Sequence, residues 1–446
     1  MLVLACSAAF SANAADPGLK TFAANTPALA EEVNGNFEYL NSKLDDLLSG
    51  TSEGDADCTT DANALRDLVE KGVDKITFDG DCNGPLYPDA WTRLTGSGKG
   101  TSSINGILED SSTTEVIWNR NGFLEIKNTT INSGALIEEP TMIGSDQGSE
   151  IRLDNVDVNG PDAGEDDSTC LHAKQGSFKL TDVKISGCNE ALSLYYGSHA
   201  EIKESSGGVT LLESNMSDWW AVSVVYNSTL RVKGGTFKAL NPDPDDPSGA
   251  IGVNWNSHIR IDGGTIEGLS VKRNSTARLR GGEIKDILRV QKNSYALLER
   301  QLTFTPSGTD KPVIRVSTGE VDIISLDTPL NLSEFRASNG STINFEGKGI
   351  TDTATIDSLD FGTGSLSLGD IRINSTSAQL SEGSFSLYNS VLSINGLLTN
   401  WNSNGWVGNG STISATSYEG NDCDTNAFQI GKDDSSTITI PYPTCP

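Results

Sequence analysis

Arg289, Arg315 and Arg336 each stand four positions before a residue suited to a tight bend, namely Asn293, Gly319 and Gly340, so a single structural register would line up three guanidiniums. Planar cationic forks of this kind grip carboxylates and sulfates with paired hydrogen bonds. Like charges stacked in register repel, so the row needs anions between or opposite its members. Two sources are open: an acidic polysaccharide lying in a groove, or neighbouring acids such as Asp262, Glu283, Asp286 and Asp360. A second row would hold Arg231, Arg260 and Arg278, and residues 272–300 carry eight basic against three acidic side chains. Directly before the bends come Tyr196, Tyr226 and Trp255, giving way to Arg273 and Lys292, with Lys272 alongside. An exposed aromatic row offers apolar faces to sugar rings, although such rows also simply stiffen a surface.

The elements that must position these side chains follow from repetition. The runs NSTLRVKGGTF from Asn227, NSHIRIDGGTI from Asn256 and NSTARLRGGEI from Asn274 share one grammar. Extending their register gives corners at 122, 148, 176, 197, 227, 256, 274, 293, 319, 340, 364, 383 and 410, each Gly or Asn, the residues that tolerate a left-handed backbone. Ten of these thirteen corners follow a period-two apolar pair, such as Leu192/Leu194 or Phe335/Ala337, as a strand with one buried face requires. From 122 to 410 the chain covers 288 residues in twelve steps, or 24 per step. A unit this short cannot close its own core, so the units must stack, strand on strand about 4.8 Å apart, into a solenoid. Four corner asparagines, 227, 256, 274 and 293, are expected to bond amide to amide along the axis.

In this grammar the chain resembles the right-handed parallel β-helix superfamily of pectate lyases, tailspikes and many adhesins, over roughly residues 58–446. The resemblance implies an all-β solenoid whose outward columns can carry polysaccharide chemistry. It does not transfer an activity. The RxPxxR pattern of pectate lyases and the clustered aspartates of polygalacturonases are both absent. Were the chain a lyase, Arg336 with Asp360 would be the best local catalytic pair, an Arg serving as base beside a carboxylate. His172, His199 and His258 are not expected to share a column.

The chain has 446 residues, with 60 acidic against 32 basic, a net charge of −28. That balance excludes a general nucleic-acid binder, whose affinity rests on Lys and Arg. After the N-terminus no apolar run approaches the ~20 residues of a membrane span. Residues 1–14, MLVLACSAAFSANA, read as a secretory signal cut before Ala15, which implies export from a bacterium to the medium or cell surface. Val3-Leu4-Ala5-Cys6 could alternatively be a lipoprotein box. In an oxidising compartment the remaining cysteines are expected to pair as Cys58–Cys82, Cys170–Cys188 and Cys423–Cys445. No CxxC spacing exists and histidines number three, so a metal centre is not expected. Calcium is the one ion that the acidic loops from Gly160 and Asn241 would suit, yet neither has EF-hand spacing.

Residues 15–54 are expected to form an N-terminal helix and linker, and 55–446 the β-helix with its caps. Within the helix, Val33, Phe37, Leu40, Leu44 and Leu47 make a coiled-coil-like seam about two heptads long, too short to be stable unaided. Residues 27–48 must therefore pack on the chain's own body or on copies of itself. This stretch resembles the short helices near the start of secreted bacterial surface proteins and trimeric phage tail-fibre-like chains. Asp61–Lys71, with Leu65, Leu68 and Val69 on one face, is expected to cap the solenoid. Two functions fit: a non-catalytic adhesin or fibre subunit that binds an anionic glycan through its basic belt, or a polysaccharide lyase or glycoside hydrolase working along the same belt.

Overall fold

The computed structural model describes residues 52–88, 91–107, 114–134, 140–161, 168–215, 220–239, 249–306, 311–348, 352–381, 383–401, 404–420 and 429–441. The signal segment with Cys6, residues 27–48, the Cys423–Cys445 pair, Trp219 and most of both acidic loops lie outside the described residues.

Period-two apolar patterning gives strands, and the strands pair in parallel with their counterparts one turn on. The result is a parallel β-solenoid of about 15 turns, with a single helix among the described residues. Its register puts Leu171, Leu192, Val222, Ile251, Leu269, Leu288, Ile314, Phe335, Leu359 and Ala378 in one vertical file. All ten are buried, as are their partners two positions on, from Ala173 to Leu380. The core is thus a column of aliphatic side chains, each resting on its neighbour above and below. Where the column widens, Phe335 fills the space between Phe345 and Phe361, at centroid distances of 5.3 and 6.0 Å.

Nine of the thirteen expected corners have positive φ: 122, 148, 197, 227, 256, 274, 293, 340 and 410. At Gly176 and Gly319 the left-handed residue is instead the preceding Gln175 or Thr318. Gly383 serves a different purpose, since a Cβ there would fall 2.4 Å from the carbonyl oxygen of Gly364 on the turn below. Close stacking, not a left-handed bend, demands that glycine.

The corner asparagines do not form the expected ladder. Asn227, Asn256, Asn274 and Asn293 are exposed, and the axial hydrogen bonds pass to the buried serine that follows each. The amides of Ser198, Ser228, Ser257 and Ser275 each donate to the hydroxyl of the next serine along the axis, at 3.2 Å. A hydroxyl on a short stem stays inside the bend, where a longer amide would not fit. True asparagine ladders occur elsewhere, through Asn105, Asn132 and Asn159, at 2.8 and 2.9 Å. Ser257→Ala strands the buried amide of Ser228, and chemical denaturation will register a loss of about 1–2 kcal/mol.

The helix spans Ala64–Glu70, shorter than expected, and buries Leu65 and Val69 over the first turn. Its start is delayed because the Asp61 carboxylate accepts the Asn63 amide and holds a turn ahead of the helix. Cys58–Cys82 clamps this cap to the strand Lys75–Asn83, and Cys170–Cys188 closes a later turn, with Cα separations of 5.1 and 5.7 Å. The first strand, Glu53–Asp57, begins inside the expected linker. Gly54 is there for close approach, since a Cβ on it would meet Leu68 at 3.1 Å.

Candidate functional site

The strand register realises both arginine rows. Arg289, Arg315 and Arg336 are direct partners on successive turns, preceded by His172, Ser193, Ser223, Gly252 and Ser270 and followed by Asp360 and Gln379. On the adjoining face Arg231, Arg260 and Arg278 are likewise in register. Each side chain alternates with the buried file, and Arg315 and Arg336 reach the surface, but Arg289 is only 8% exposed and does not present its guanidinium as the expected row requires.

Acids of the chain take up much of this charge. Arg315 meets Glu334 at 2.9 Å and Arg336 meets Asp360 at 3.2 Å. Asp262 bridges Arg231 and Arg260 at 3.3 and 2.9 Å, and Glu299 takes Arg278 at 2.9 Å. Burial raises the Asp262 carboxyl, but the two arginines outweigh it and leave it below the usual range. For Asp360 the balance is reversed: burial outweighs Arg336, Glu334 repels, and the carboxyl is raised. Of the acids expected to neutralise the rows, Glu283 instead accepts the Thr265 hydroxyl at 3.0 Å. Glu334, opposite Val313 and two positions from Arg336, takes the part expected of Glu283.

As a catalytic pair Arg336 and Asp360 are poorly suited. Arg336 is in an ion pair on an exposed surface, a setting that keeps its proton in place rather than freeing a base. The histidines depart from expectation too. His199, Thr229, His258 and Thr276 are consecutive members of one column, so two of the three histidines do share one. Each Nδ1 lies against the next threonine hydroxyl, at 2.7 and 2.6 Å, and burial lowers both imidazoles.

The aromatic row forms a continuous stack in which Tyr196 and Trp255 are exposed and Tyr226 between them is half-buried. Tyr196 and Tyr226 lie nearly parallel at 5.1 Å, Trp255 follows at 5.8 Å, and the Arg273 guanidinium covers the indole at 4.2 Å. Lys174 approaches the other end, 6.0 Å from the Tyr196 ring. Lys292 continues the line one turn past Arg273 and is exposed. Arg273 and Lys292 have no ion pair among the described residues. Lys272 is turned elsewhere, 5.8 Å from the ring of Trp220.

Stacking has a chemical cost for the row. Ring faces that cover each other are closed to a sugar, leaving edges, phenol hydroxyls and the terminal cations as the accessible groups. The backbone here is also unusual. Tyr196, Tyr226, Trp255, Arg273 and Lys292 all have φ between 55° and 59°, a region that bulky side chains rarely enter. Such strain costs roughly 1–2 kcal/mol per residue, and the position before the bend is left-handed on other turns too, at Gln147, Gln175 and Thr318.

Compared with known proteins, the chain matches no family model and no curated protein. Among solved structures it is similar to the A-module of a mannuronan C-5 epimerase from Azotobacter vinelandii. Identity is 10%, the TM-score 0.29, and the likeness covers 87% of this chain and 96% of the module. The fold therefore rests on this chain's own register, and the site on its own residues.

One group of side chains escaped the sequence reading. Glu190 lies on the outer face of the sheet yet is 3% exposed, and burial pushes its carboxyl up to about 7 against the Ser223 and Ser193 hydroxyls, which favour the charged form. Burial and the Glu190 charge raise the Tyr195 phenol, and the Tyr195 ring meets His172 at 5.7 Å. A bulge hid Glu190: the amides of Ala191 and Leu192 both donate to the Ala221 carbonyl, so Glu190 falls three positions before Ser193, out of period. The available signal was the run of small hydroxyls, Ser193, Ser223 and Ser270, in an otherwise outward column.

Proposed function

We propose that this chain is an exported, non-catalytic solenoid of the adhesin or fibre kind that binds an acidic polysaccharide along the corner row. What carries the reading is that Tyr196, Tyr226, Trp255, Arg273 and Lys292 hold strained left-handed backbone on successive turns while remaining at the surface. Glycine or asparagine would relieve that strain, so the bulky side chains have another use. Glycan carboxylates would meet Arg273 and Lys292, with hydroxyls at the phenols and ring edges. Arg315 and Arg336 extend the belt, their chain acids exchanging for those of the ligand. The two disulfides suit an oxidising, extracellular setting. Residues 27–48 are proposed to join copies of the chain.

The test is retention of the mature protein on a panel of immobilised acidic polysaccharides, with unsaturated uronate ends and reducing ends followed in parallel. Arg273→Ala combined with Lys292→Ala will weaken retention by roughly tenfold at low salt and much less at high salt. Retention unchanged by the double substitution would sink the corner row as the binding surface. Product release abolished by Arg336→Ala would replace this reading with the lyase or hydrolase alternative.

A further inference from the structure

A second surface, near the end of the solenoid, differs from the corner row in both position and chemistry. The strands Thr342–Glu346, Ser365–Gly369, Ser384–Tyr388 and Asn404–Gly408 stack in register on successive turns. Alternation turns two of their files outward: Thr342, Ser365 and Ser384 in one, and Asn344, Ser367, Ser386 and Trp406 in the other. Six small polar side chains thus lead up to one indole, and none of the seven carries a charge. In a chain of net charge −28 this strip is a local departure.

Trp406 lies flat at the end of the strip. A Cβ on Gly431, its partner one turn on, would come within 2.6 Å of the six-membered ring. A Cβ on Gly408, two positions along, would come within 2.7 Å of the indole nitrogen. These atoms belong to opposite edges of the indole, so both edges rest on the sheet and one face is laid down on it. The other face is turned outward: the residue is 47% exposed, and no ring or cation stacks on it among the described residues. A side chain at either glycine would tip the ring up. Tyr388, 55% exposed, has only Gly369 and Gly408 as its neighbours in file. One turn and two positions separate it from Trp406, roughly 8 Å by strand geometry.

We propose that this strip is a binding platform for a neutral polysaccharide, with the Trp406 indole stacked on one sugar ring and the hydroxyls of Ser386, Ser367 and Tyr388 meeting those of its neighbours. A pyranose presents C–H groups on its faces and O–H groups around its rim, which suits an apolar plate bordered by small donors and acceptors. The corner row has no such open face. Charge decides against an acidic chain here. Glu346 is exposed at one border, and the Asp433 carboxylate lies beside the indole, 3.5 Å from where a Gly408 Cβ would be. Lys432 bends back to the Ser436 carbonyl at 3.4 Å. Uronates would be repelled at this end of the solenoid, whereas Arg273 and Lys292 attract them at the corner row. A second copy of the chain would find little to bury, since two rings are the only large apolar groups on the strip.

Calorimetric titration of the full chain with cellohexaose, mannohexaose and xylohexaose, and with hexagalacturonate, tests the assignment. At least one neutral hexaose is expected to bind, with an affinity that salt leaves unchanged. Trp406→Ala should weaken it by about tenfold or more and Tyr388→Ala by less, whereas Trp406→Phe should retain most of it. Should Trp406→Ala fail to fold, the ranking of wild type, Trp406→Phe and Tyr388→Ala keeps the proposal open to refutation. Absence of neutral binding, or neutral binding that survives Trp406→Ala, would overturn it. So would a fall in mass by light scattering on Trp406→Ala without neutral binding, which would make the strip a contact between copies. Arg273→Ala with Lys292→Ala should leave the neutral affinity as it is, so that the corner row and this strip stand or fall separately.

Discussion

Glu190→Gln will leave stability near pH 4 almost unchanged and raise it by about 3 kcal/mol at pH 8. In the folded chain burial holds the Glu190 carboxyl at about 7, against a usual value of 4.5. Below 4.5 the acid is protonated in both folded and unfolded chains and has no effect on their balance. Between 4.5 and about 7 the unfolded chain gives up its proton while the folded one keeps it, so wild-type stability falls as pH rises. Above about 7 the loss is complete and levels off. Glutamine has nearly the same shape and no charge, so it removes this slope. Denaturation midpoints of both proteins at pH 4, 6 and 8 give the comparison, and other titrating groups cancel in the difference. Parallel profiles would mean that Glu190 meets solvent or a cation in the folded state.

The second large effect is expected in the core. Phe335→Ala removes a fully buried ring that touches Phe345 and Phe361 on neighbouring strands. The site cannot collapse easily, because the strands above and below are held at fixed spacing by their ladders. A loss of about 3–5 kcal/mol follows. In a stacked chain each turn contacts only its neighbours, so the damage should be local at first. Hydrogen exchange will show protection lost from residues 313–361, with the turns around Leu192 and Val222 retaining theirs. Uniform loss along the chain would show that the solenoid unfolds as one cooperative unit.

The architecture was legible because its cause is local and repeated. An apolar pair, a bend residue and a return strand recur often enough that the register could be set by counting, and Arg289, Arg315 and Arg336 then followed as vertical neighbours. What counting could not supply was the direction of each side chain within its column. Asn227 and its equivalents sit where a ladder was expected, yet the shorter serine beside each makes the bond. The column shared by His199 and His258 is hard to see in the sequence because the two are two turns apart, with Thr229 between them. Glu190 was missed for a geometric reason, since one bulge shifts it out of alternation. The aromatic row was found, but spacing alone does not reveal that its rings spend their faces on each other.

The unequal turns have an evolutionary corollary. Arg289 to Arg315 takes 26 residues and Arg315 to Arg336 takes 21, yet the three are aligned, so the surplus is absorbed between strands. Loss of one residue inside a strand would invert the rest of that strand, exchanging its wet and dry sides before the next bend could absorb the change. Duplication or deletion of an entire coil would merely lengthen or shorten the rod. Genetic change in this molecule is therefore quantised: permissive in whole coils and at the bends, intolerant of single steps in between.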